Sequence, residues 1–343
     1  MKAVVKYQKG PGNVELRDMP EPQCSDEKVI IEIAHCGICG TDLHVYHDTF
    51  HNFPPVILGH EFSGIVVETG KKVTGIKPGA AFSVLGATAV QCGKCEYCEQ
   101  GEFMFCKNRR GMGHGVNGAF TKYAAVRPDQ LFPVPEGVTL EHAALVEPLA
   151  VAVHVVEEIA DFKSGDTVLL SGPGPIGLLC MKMLAAHGLR VIVAGTSIDT
   201  MRLEMAKKYG ADTTVKVDQE NLLEVVQEKT DGKGVALAIE CAGAEISVKN
   251  CLSALKPLSH YVQVGHFGKD LHVPWDLIAF RQLKIYGSVG YTKKTWRQTM
   301  NILSQQVIDL SDTITHRLSL NDWRKGFDLM EQRRAIKILL NPN

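Results

Sequence analysis

The chain has 343 residues, of which 45% are hydrophobic, and its formal net charge is −1. This length predicts two domains with their own cores, and a nearly neutral chain without basic runs argues against nucleic acid or a membrane surface as the main partner. The opening MKAVVKYQKG lacks the apolar core of a signal peptide and no apolar run reaches the roughly 18 residues of a membrane span, so we expect a cytoplasmic protein.

Residues 1–150 alternate short apolar runs with glycine and proline. The runs include KAVVKY, KVIIEIAHCGIC, FSGIVVETG and AFTKYAAV. Many short strands separated by turn residues indicate a β-rich, barrel-like domain rather than a parallel sheet.

Four of the ten cysteines lie in one segment, CGKCEYCEQGEFMFC, and these are Cys92, Cys95, Cys98 and Cys106. Under reducing conditions, clustered cysteines bind metal more often than they form disulfides. Their spacing predicts a closed tetrahedral zinc site that stiffens a lobe of about residues 90–110 and leaves no open position for chemistry. An iron–sulfur cluster would need the same ligands, whereas a redox-active C-x-x-C would open a helix of a thioredoxin-like unit, which is not evident here.

From about residue 151 strands alternate with helices. DTVLLSGPGPIGLLCMKMLAAHG predicts a buried strand, a glycine turn and a helix, RVIVAG predicts a second strand, and the alternation continues to LKIYGSV. Such repeated strand–helix units predict a doubly wound parallel sheet with helices on both faces. The last stretch, ITHRLSLNDWRKGFDLMEQRRAIKILLNPN, predicts a loop, a helix and a final strand that returns to the first domain.

The glycine turn reads G-x-G-x-x-G between a strand and a helix. Its candidate cofactor-binding residues are Gly172, Gly174, Pro175, Ile176 and Gly177. Glycines here let backbone N–H groups and the helix N-terminus approach a pyrophosphate, so the context predicts dinucleotide binding. Two further strand ends, CAG at Gly243 and VGH at Gly265, are expected near the nicotinamide or its ribose.

The end of the second strand bears on the choice between NAD and NADP. An acid about 20 residues after the glycine turn binds the adenosine ribose of NAD, but here Thr196 and Ser197 end the strand. Asp199 follows where a helix begins, and we expect it to be an N-cap. A neutral strand end does not repel a 2′-phosphate, with which Arg202 or Arg190 could pair, so the sequence leans slightly toward NADP and leaves NAD open.

A second set of metal-binding residue types lies in HCGICGTDLHVYHDTFHNFPPVILGHEF. Catalytic zinc takes about three protein ligands of mixed type and keeps an open position. Cys39 in CGICGTD, and His60 with Glu61 in LGHEF, offer such donors. Glu147 in ALVEPLAV is a more distant candidate, because a carboxylate beside an apolar helix is costly to bury without a partner.

Five motifs in this order, CGICGTDLH, GHEFSGIVVETG, the four-cysteine segment, VEPLAVAVH and SGPGPIG, resemble the zinc-dependent medium-chain alcohol dehydrogenases, most closely their polyol (sorbitol-type) and threonine dehydrogenase branch. The resemblance covers essentially the whole chain. It implies a GroES-like catalytic domain, residues 1–150 with 291–343, and a Rossmann domain, residues 151–290. It also implies two zinc ions per chain and a homo-oligomer, either a tetramer or a dimer.

The same resemblance assigns residues to the catalytic zinc. Cys39 and His60 would be ligands, while Glu61 and Glu147 would share or exchange the remaining position. The ethanol-type enzymes have a third cysteine ligand where this chain has Glu147, as the polyol branch does.

Three residues near Cys39 receive roles from the resemblance. Thr41 would hydrogen-bond the substrate hydroxyl, His44 would relay its proton, and Asp42 would orient the histidine ligand. The implied reaction transfers a hydride between a secondary alcohol and the nicotinamide, so that alcohol and ketone interconvert.

The substrate within this branch stays open. A polyol, a sugar alcohol or its phosphate, and a vicinal diol all fit. Threonine dehydrogenases carry a histidine three residues before the first lobe cysteine, and Ala89 at that position disfavours threonine, which is kept as an alternative. Arg281, Arg110 and His114 are candidates to meet a phosphate, and the competing interpretation places the arginines at the surface or an interface.

A different class of function is the remaining alternative. Proteins of this architecture can bind a dinucleotide without zinc chemistry and serve as reductases or structural proteins. That alternative predicts the loss of Cys39, His60 and Glu147, and all three are present.

Overall fold

The computed structural model describes residues 1–342. The strands in this range are β1 (Lys2–Lys6), β2 (Val14–Asp18), β3 (Val29–Gly37), β4 (Val56–Ile57), β5 (Glu61–Thr69), β6 (Ala81–Leu85), β7 (Tyr123–Val126), β8 (Leu131–Pro133), β9 (Thr167–Ser171), β10 (Arg190–Gly195), β11 (Thr213–Lys216), β12 (Val235–Glu240), β13 (Leu255–Gln263), β14 (Lys284–Gly287), β15 (Ile314–Ser319) and β16 (Lys337–Asn341). The chain folds as two units, which we call unit 1 (residues 1–147 with the segment from Tyr291 onward) and unit 2 (Pro148–Gly290).

The α-helices are mostly short. They are α1 (Gly40–Tyr46), α2 (Glu96–Glu99), α3 (Leu140–Ala144), α4 (Val146–Val153), α5 (Pro175–Ala186), α6 (Thr200–Lys208), α7 (Leu222–Lys229), α8 (Glu245–Ala254), α9 (Trp275–Phe280), α10 (Lys293–Ser304) and α11 (Trp323–Glu331). A π-helical turn spans His154–Ile159, and 3-10 turns span Gly86–Thr88, Phe103–Phe105, Pro128–Gln130, Ser197–Asp199 and Leu320–Asp322. Across residues 1–342, no helix is both long and apolar enough to cross a bilayer.

Unit 1 contains two β-sheets. The smaller has the order β2-β1-β4, and the larger has the order β15-β16-β3-β5-β6-β8, with β7 paired to β3. All pairs of the larger sheet except β15 with β16 are antiparallel. Its core includes the buried Ile31, Ile33, Phe62, Phe120 and Phe327. This architecture confirms the predicted β-rich fold of the first part of the chain.

Unit 2 contains a single parallel sheet, in which the strand order is β11-β10-β9-β12-β13-β14. Numbered from β9, this is the strand order 3-2-1-4-5-6 of the dinucleotide-binding α/β fold. The central strands TVLLS and VALAIE are buried at every position, as a sheet covered on both faces requires. The predicted doubly wound sheet is therefore confirmed.

The C-terminal segment differs from the prediction in one element. Ile314–Ser319 was expected to be a loop, but it is strand β15, which pairs in parallel with β16. The loop prediction is wrong because this half-exposed edge strand is held by backbone pairing to a segment about 20 residues further on. The residues of the strand themselves do not reveal this pairing. Strand β16 also pairs with β3, so the chain end joins the sheet of unit 1.

Candidate active site and metal centres

The first candidate metal centre lies in unit 1, where β3 ends and β5 begins. The antiparallel ladder pairs Gly37 with Glu61, and Cys39 follows as the N-cap of α1. Donor atoms of Cys39, His60 and Glu61 all lie within 4.8 Å of one another. One sulfur, one nitrogen and one oxygen donor at this separation fit a zinc ion that keeps an open position.

Asp42 is the buried carboxylate beside His60. It is 1% exposed and accepts hydrogen bonds from the backbone N–H groups of Cys39 (2.9 Å) and Gly59 (3.2 Å). Its Oδ1 lies 3.7 Å from His60 Nδ1, a buried atom without a hydrogen-bond partner among the described residues. Burial lowers the pKa of His60, but the charges of Asp42 and Cys39 outweigh burial and raise this pKa well above its ordinary value. The negative charges around His60 therefore favour a positive charge at this point of unit 1.

Glu61 is held by a lysine from the far end of the chain. Its Oε2 accepts a short hydrogen bond from Lys337 Nζ, which also donates to the carbonyl oxygen of Ile38 at 3.0 Å. Both side chains are 1% exposed. The other oxygen of Glu61, Oε1, is buried without a hydrogen-bond partner in the described part of the chain, so it is available to a ligand. Sequence reasoning missed Lys337, although a lysine inside the apolar run AIKILL was a signal.

Glu147, in α4, is held by Tyr291. The Tyr291 hydroxyl donates to Glu147 Oε1 at 2.7 Å, and both residues are buried. Burial raises the pKa of Glu147 to about 7, and the charge of His60 opposes this rise. Glu147 is not part of the set that meets within 4.8 Å. The structure thus brings three of the four predicted ligands together and leaves Glu147 on Tyr291, which sequence reasoning also missed.

Thr41 and His44 lie on α1, the helix that begins directly after Cys39. Thr41 is half-buried and His44 is exposed. His44 Nδ1 lies 3.1 Å from Thr49 Oγ1. The backbone of α1 is fixed at its start because Asp42 caps the N–H of Cys39.

The second candidate metal centre is the four-cysteine lobe. Ligand sulfurs of Cys92, Cys95, Cys98 and Cys106 lie within 4.8 Å of one another. Cys92 Sγ and Cys98 Sγ are 3.9 Å apart, and thiolates about 2.3 Å from a tetrahedral zinc lie about 3.8 Å apart. The backbone N–H of Lys94 lowers the pKa of Cys92 to about 6, which favours its thiolate, whereas burial raises the pKa of Cys98 to about 12. The four sulfurs therefore fit a closed zinc shell.

The glycine turn in unit 2 has the backbone of a pyrophosphate site. Gly172 has φ +98°, and a Cβ there would lie 2.5 Å from the backbone N of Ala242. A Cβ on Gly177 would lie 2.0 Å from the carbonyl oxygen of Gly172, so both positions require glycine. A Cβ on Gly174 would meet nothing within 4 Å, which leaves the N-terminus of α5, with Pro175 and Ile176 in its first turn, open to a ligand.

Gly243 and Gly265 lie against each other. A Cβ on Gly265 would lie 2.4 Å from the backbone N of Gly243. The buried carboxylate of Glu240 accepts the backbone N–H groups of Ala242 (2.9 Å) and Gly243 (3.0 Å) and fixes this turn. The two predicted cofactor residues are thus brought together after β12 and β13.

Two carboxylates occupy the turn after β10, where Thr196 and Ser197 were predicted to meet the cofactor. Asp199 accepts from the backbone N–H (3.0 Å) and hydroxyl (2.8 Å) of Thr196. Asp218, which follows β11, accepts from the backbone N–H of Ser197 at 2.8 Å and from its hydroxyl. Arg202 is 6% exposed, and its Nη1 lies 3.9 Å from Asp199 Oδ1. Sequence reasoning missed Asp218, which lies on a different strand–helix unit.

The three candidate phosphate contacts have different surroundings. Arg281, in unit 2, donates through Nη1 to the carbonyl oxygens of Ser253 (3.0 Å) and Leu255 (2.8 Å), where α8 ends. Arg110, in unit 1, stacks its guanidinium 4.3 Å from the centre of the Phe53 ring. Burial lowers the pKa of His114 to about 3, so this histidine offers no positive charge at neutral pH.

Comparison with known proteins adds an independent finding. The family model described as the alcohol dehydrogenase GroES-like domain matches residues 25–136, and the one described as zinc-binding dehydrogenase matches residues 175–305. The chain is 35% identical to a sorbitol dehydrogenase of Halalkalibacterium halodurans, over 100% of this chain and 99% of that protein. It is 34% identical to a D-arabitol-phosphate dehydrogenase of Enterococcus avium, over 100% and 98%. A zinc-binding dehydrogenase of Sinorhizobium meliloti 1021, solved with NADP bound, superposes with a TM-score of 0.91 at 31% identity over 99% of each chain.

Proposed function

The chain belongs to the zinc-type alcohol dehydrogenase family, and from this premise we propose that it interconverts a secondary alcohol of the polyol class and the corresponding ketone. It is an NAD(P)-dependent oxidoreductase, and the hydride passes between the alcohol carbon and the nicotinamide. The observation that carries the proposal is the convergence of Cys39, His60 and Glu61 on one point of unit 1.

Two zinc ions per chain are proposed, one in each centre. Cys39 and His60 would hold the catalytic ion together with Glu61 or Glu147, whose carboxylates share or exchange the remaining position. The buried Oε1 of Glu61, which has no partner in the described residues, supports a cation at this place. When bound, zinc supplies Lewis acidity that makes a substrate hydroxyl more acidic. The four-cysteine lobe would hold a structural ion.

The chain's own residues fix the donors of the catalytic centre. Asp42 orients the His60 ring, Lys337 holds one oxygen of Glu61, and Tyr291 holds one oxygen of Glu147. Each glutamate thereby keeps its other oxygen for a ligand.

Thr41 and His44 are proposed to carry the proton of the substrate hydroxyl away from the centre. Thr41 stands two residues after Cys39 and is half-buried, so its hydroxyl can accept from the substrate and pass the proton on. His44 lies three residues further along α1 and is exposed, so its ring can pass the proton on to water.

Unit 2 is proposed to be the dinucleotide-binding domain and unit 1 the catalytic domain. The proposal rests on the open N-terminus of α5 at the glycine turn in unit 2 and on both metal centres in unit 1. The rival interpretation, a dinucleotide-binding protein without zinc chemistry, predicts one zinc ion per chain instead of two.

We propose a polyol, a sugar alcohol or its phosphate, or a vicinal diol as the substrate. A panel of sorbitol, arabitol, arabitol phosphate, 2,3-butanediol and threonine, each offered with NAD and with NADP, tests this by the absorbance of the reduced nicotinamide. Because Ala89 stands where the threonine enzymes carry a histidine, we expect kcat/KM for threonine to be at least about tenfold below that of the best polyol or diol.

The panel has two informative failures. Threonine as the best substrate would support the threonine 3-dehydrogenase alternative. Absence of turnover with every compound, in protein that contains two zinc ions per chain, would reject the polyol class.

A homo-oligomer, either a dimer or a tetramer, is proposed to form through the edge of the unit 2 sheet. Strand β14 ends the strand order, and every one of its residues is exposed. Phe280, just before it, is 86% exposed. An open edge can pair with the same edge of a second copy about a two-fold axis. Sedimentation of the wild type should give at least twice the monomer mass. Ile285→Pro removes a backbone N–H at this edge and should lower the measured mass. A wild-type protein that sediments as a monomer contradicts the proposal.

A cytoplasmic location is proposed as well. The ten cysteines, all of which lie within residues 1–342, form no disulfide there, as is usual for proteins kept under reducing conditions. Fractionation of cells that express the chain checks this, and recovery in an exported fraction contradicts it.

A further inference from the structure

Thr196 and Ser197, at the start of the turn after β10, offer four hydrogen-bond donors, and carboxylates of this chain accept from all four. The donors are the backbone N–H and hydroxyl groups of Thr196 and Ser197. Asp199 accepts both donors of Thr196, and Asp218 accepts both donors of Ser197. Backbone N–H groups and hydroxyls of this kind are what a protein offers to a phosphate. Here they already hold anionic groups.

Asp218 differs from Asp199 in its access to solvent. Asp199 is 4% exposed and belongs to the turn that it caps, whereas Asp218 is exposed to solvent. The Ser197 hydroxyl lowers the pKa of Asp218 below its ordinary value, so this carboxylate is ionised at neutral pH. Glu220 is a second acid in the same loop, and Lys216 is the cation near Asp218. The loop after β11 therefore brings more negative than positive charge to the end of β10.

The arginines named as partners for a 2′-phosphate do not offset this charge. Arg202 is 6% exposed and lies beside Asp199. Arg190 is the first residue of β10, about 20 Å along the strand from Thr196.

We propose that Asp218 supplies the ribose-binding acid from the neighbouring strand and selects NAD over NADP. The inference rests on the dinucleotide site proposed for unit 2. A ribose with free 2′- and 3′-hydroxyls can donate to the exposed carboxylate of Asp218. A 2′-phosphate would meet a like charge and would have to displace Asp218 from both donors of Ser197. The neutral end of the strand slightly favours NADP when the sequence is considered alone, and Asp218 changes the expected preference to NAD.

Calorimetric titration of the full-length protein with NAD and with NADP tests the inference. For the wild type we expect the Kd of NADP to exceed that of NAD by about tenfold or more. Asp218→Asn removes the charge and keeps the shape of the side chain. It should shrink the ratio of the two Kd values by about tenfold, mainly through tighter binding of NADP.

Two further variants separate charge from structure. Asp212→Asn makes the same change at an exposed residue just before β11, at the opposite end of the strand, and should leave the ratio as in the wild type. Ser197→Ala removes one hydrogen bond to Asp218 but keeps its charge, so the preference for NAD should persist.

The outcomes are distinguishable. A wild type that binds NADP as tightly as NAD, or an Asp218→Asn variant with an unchanged ratio, overturns the inference and leaves the proposed dehydrogenase intact. A wild type that binds neither dinucleotide overturns the proposed function itself.

Discussion

Replacing Cys39 by serine is expected to lower kcat/KM by about 10³-fold or more, because the loss of Lewis acidity removes several kcal/mol of transition-state stabilisation. Zinc content should fall from two ions per chain to one, since the four-cysteine lobe keeps its own ligands. His60→Ala should have the same two effects. Steady-state kinetics and elemental analysis of the purified variants measure both.

The same variant should still bind the dinucleotide. The glycine turn lies wholly in unit 2, and Cys39 lies in unit 1, so we expect the Kd for NADH to stay within about twofold. Cys24→Ser is the matched control, because Cys24 is a thiol of unit 1 whose Sγ faces the carbonyl oxygen of Lys28 at 3.4 Å. It should retain full activity and both zinc ions. Wild-type turnover in Cys39→Ser would show that this cysteine is not a catalytic ligand.

Local motifs made much of the site predictable from the sequence. Ligands that converge from one short segment, as in the four-cysteine lobe, leave their spacing in the sequence. Glycines required by backbone contact, such as Gly172 and Gly177, do the same. The strand–helix alternation of unit 2 was also readable, because each buried strand is a continuous apolar run.

Residues that act across long stretches of chain were not predictable in this way. Lys337 reaches Glu61 over 276 residues, and Tyr291 reaches Glu147 over 144. The position of Lys337 depends on how β16 pairs with β3, which no local period encodes. The same limit explains the missed strand β15 and the missed Asp218, whose partner Ser197 follows a different strand.

Lys337→Met is expected to destabilise unit 1 by about 3–5 kcal/mol, the usual cost of leaving one member of a buried ion pair without its partner. Methionine keeps much of the apolar stem and removes the ammonium that Glu61 and the Ile38 carbonyl accept from. Burial lowers the pKa of Lys337, but the charge of Glu61 outweighs this and keeps the lysine protonated. Urea unfolding followed by fluorescence reports mainly on unit 1, because the buried Trp296 and Trp323 lie there, whereas Trp275 of unit 2 is 68% exposed.

Lys6→Met is the matched control, since Lys6 is another fully buried lysine on a strand of unit 1. Its Nζ donates to backbone carbonyl oxygens, including those of Gly12 (3.3 Å) and Tyr46 (3.4 Å), and the nearest carboxylate, Asp48, is 4.0 Å away and 22% exposed. Water can reach that carboxylate when the lysine is removed, so we expect a smaller loss of about 1–3 kcal/mol.

The double variant Lys337→Met with Glu61→Gln decides whether the ion pair is the cause. With neither charge present, the cost of a lone buried carboxylate disappears, and most of the lost stability should return. Glu61→Gln should give no such recovery of stability when it is combined with Lys6→Met, because the ammonium of Lys6 does not contact Glu61 in the wild type. If Lys337→Met unfolds at the wild-type urea concentration, or if Glu61→Gln leaves it equally unstable, then Lys337 acts by packing alone. Glu61 would then need another explanation for the place it holds beside Cys39 and His60.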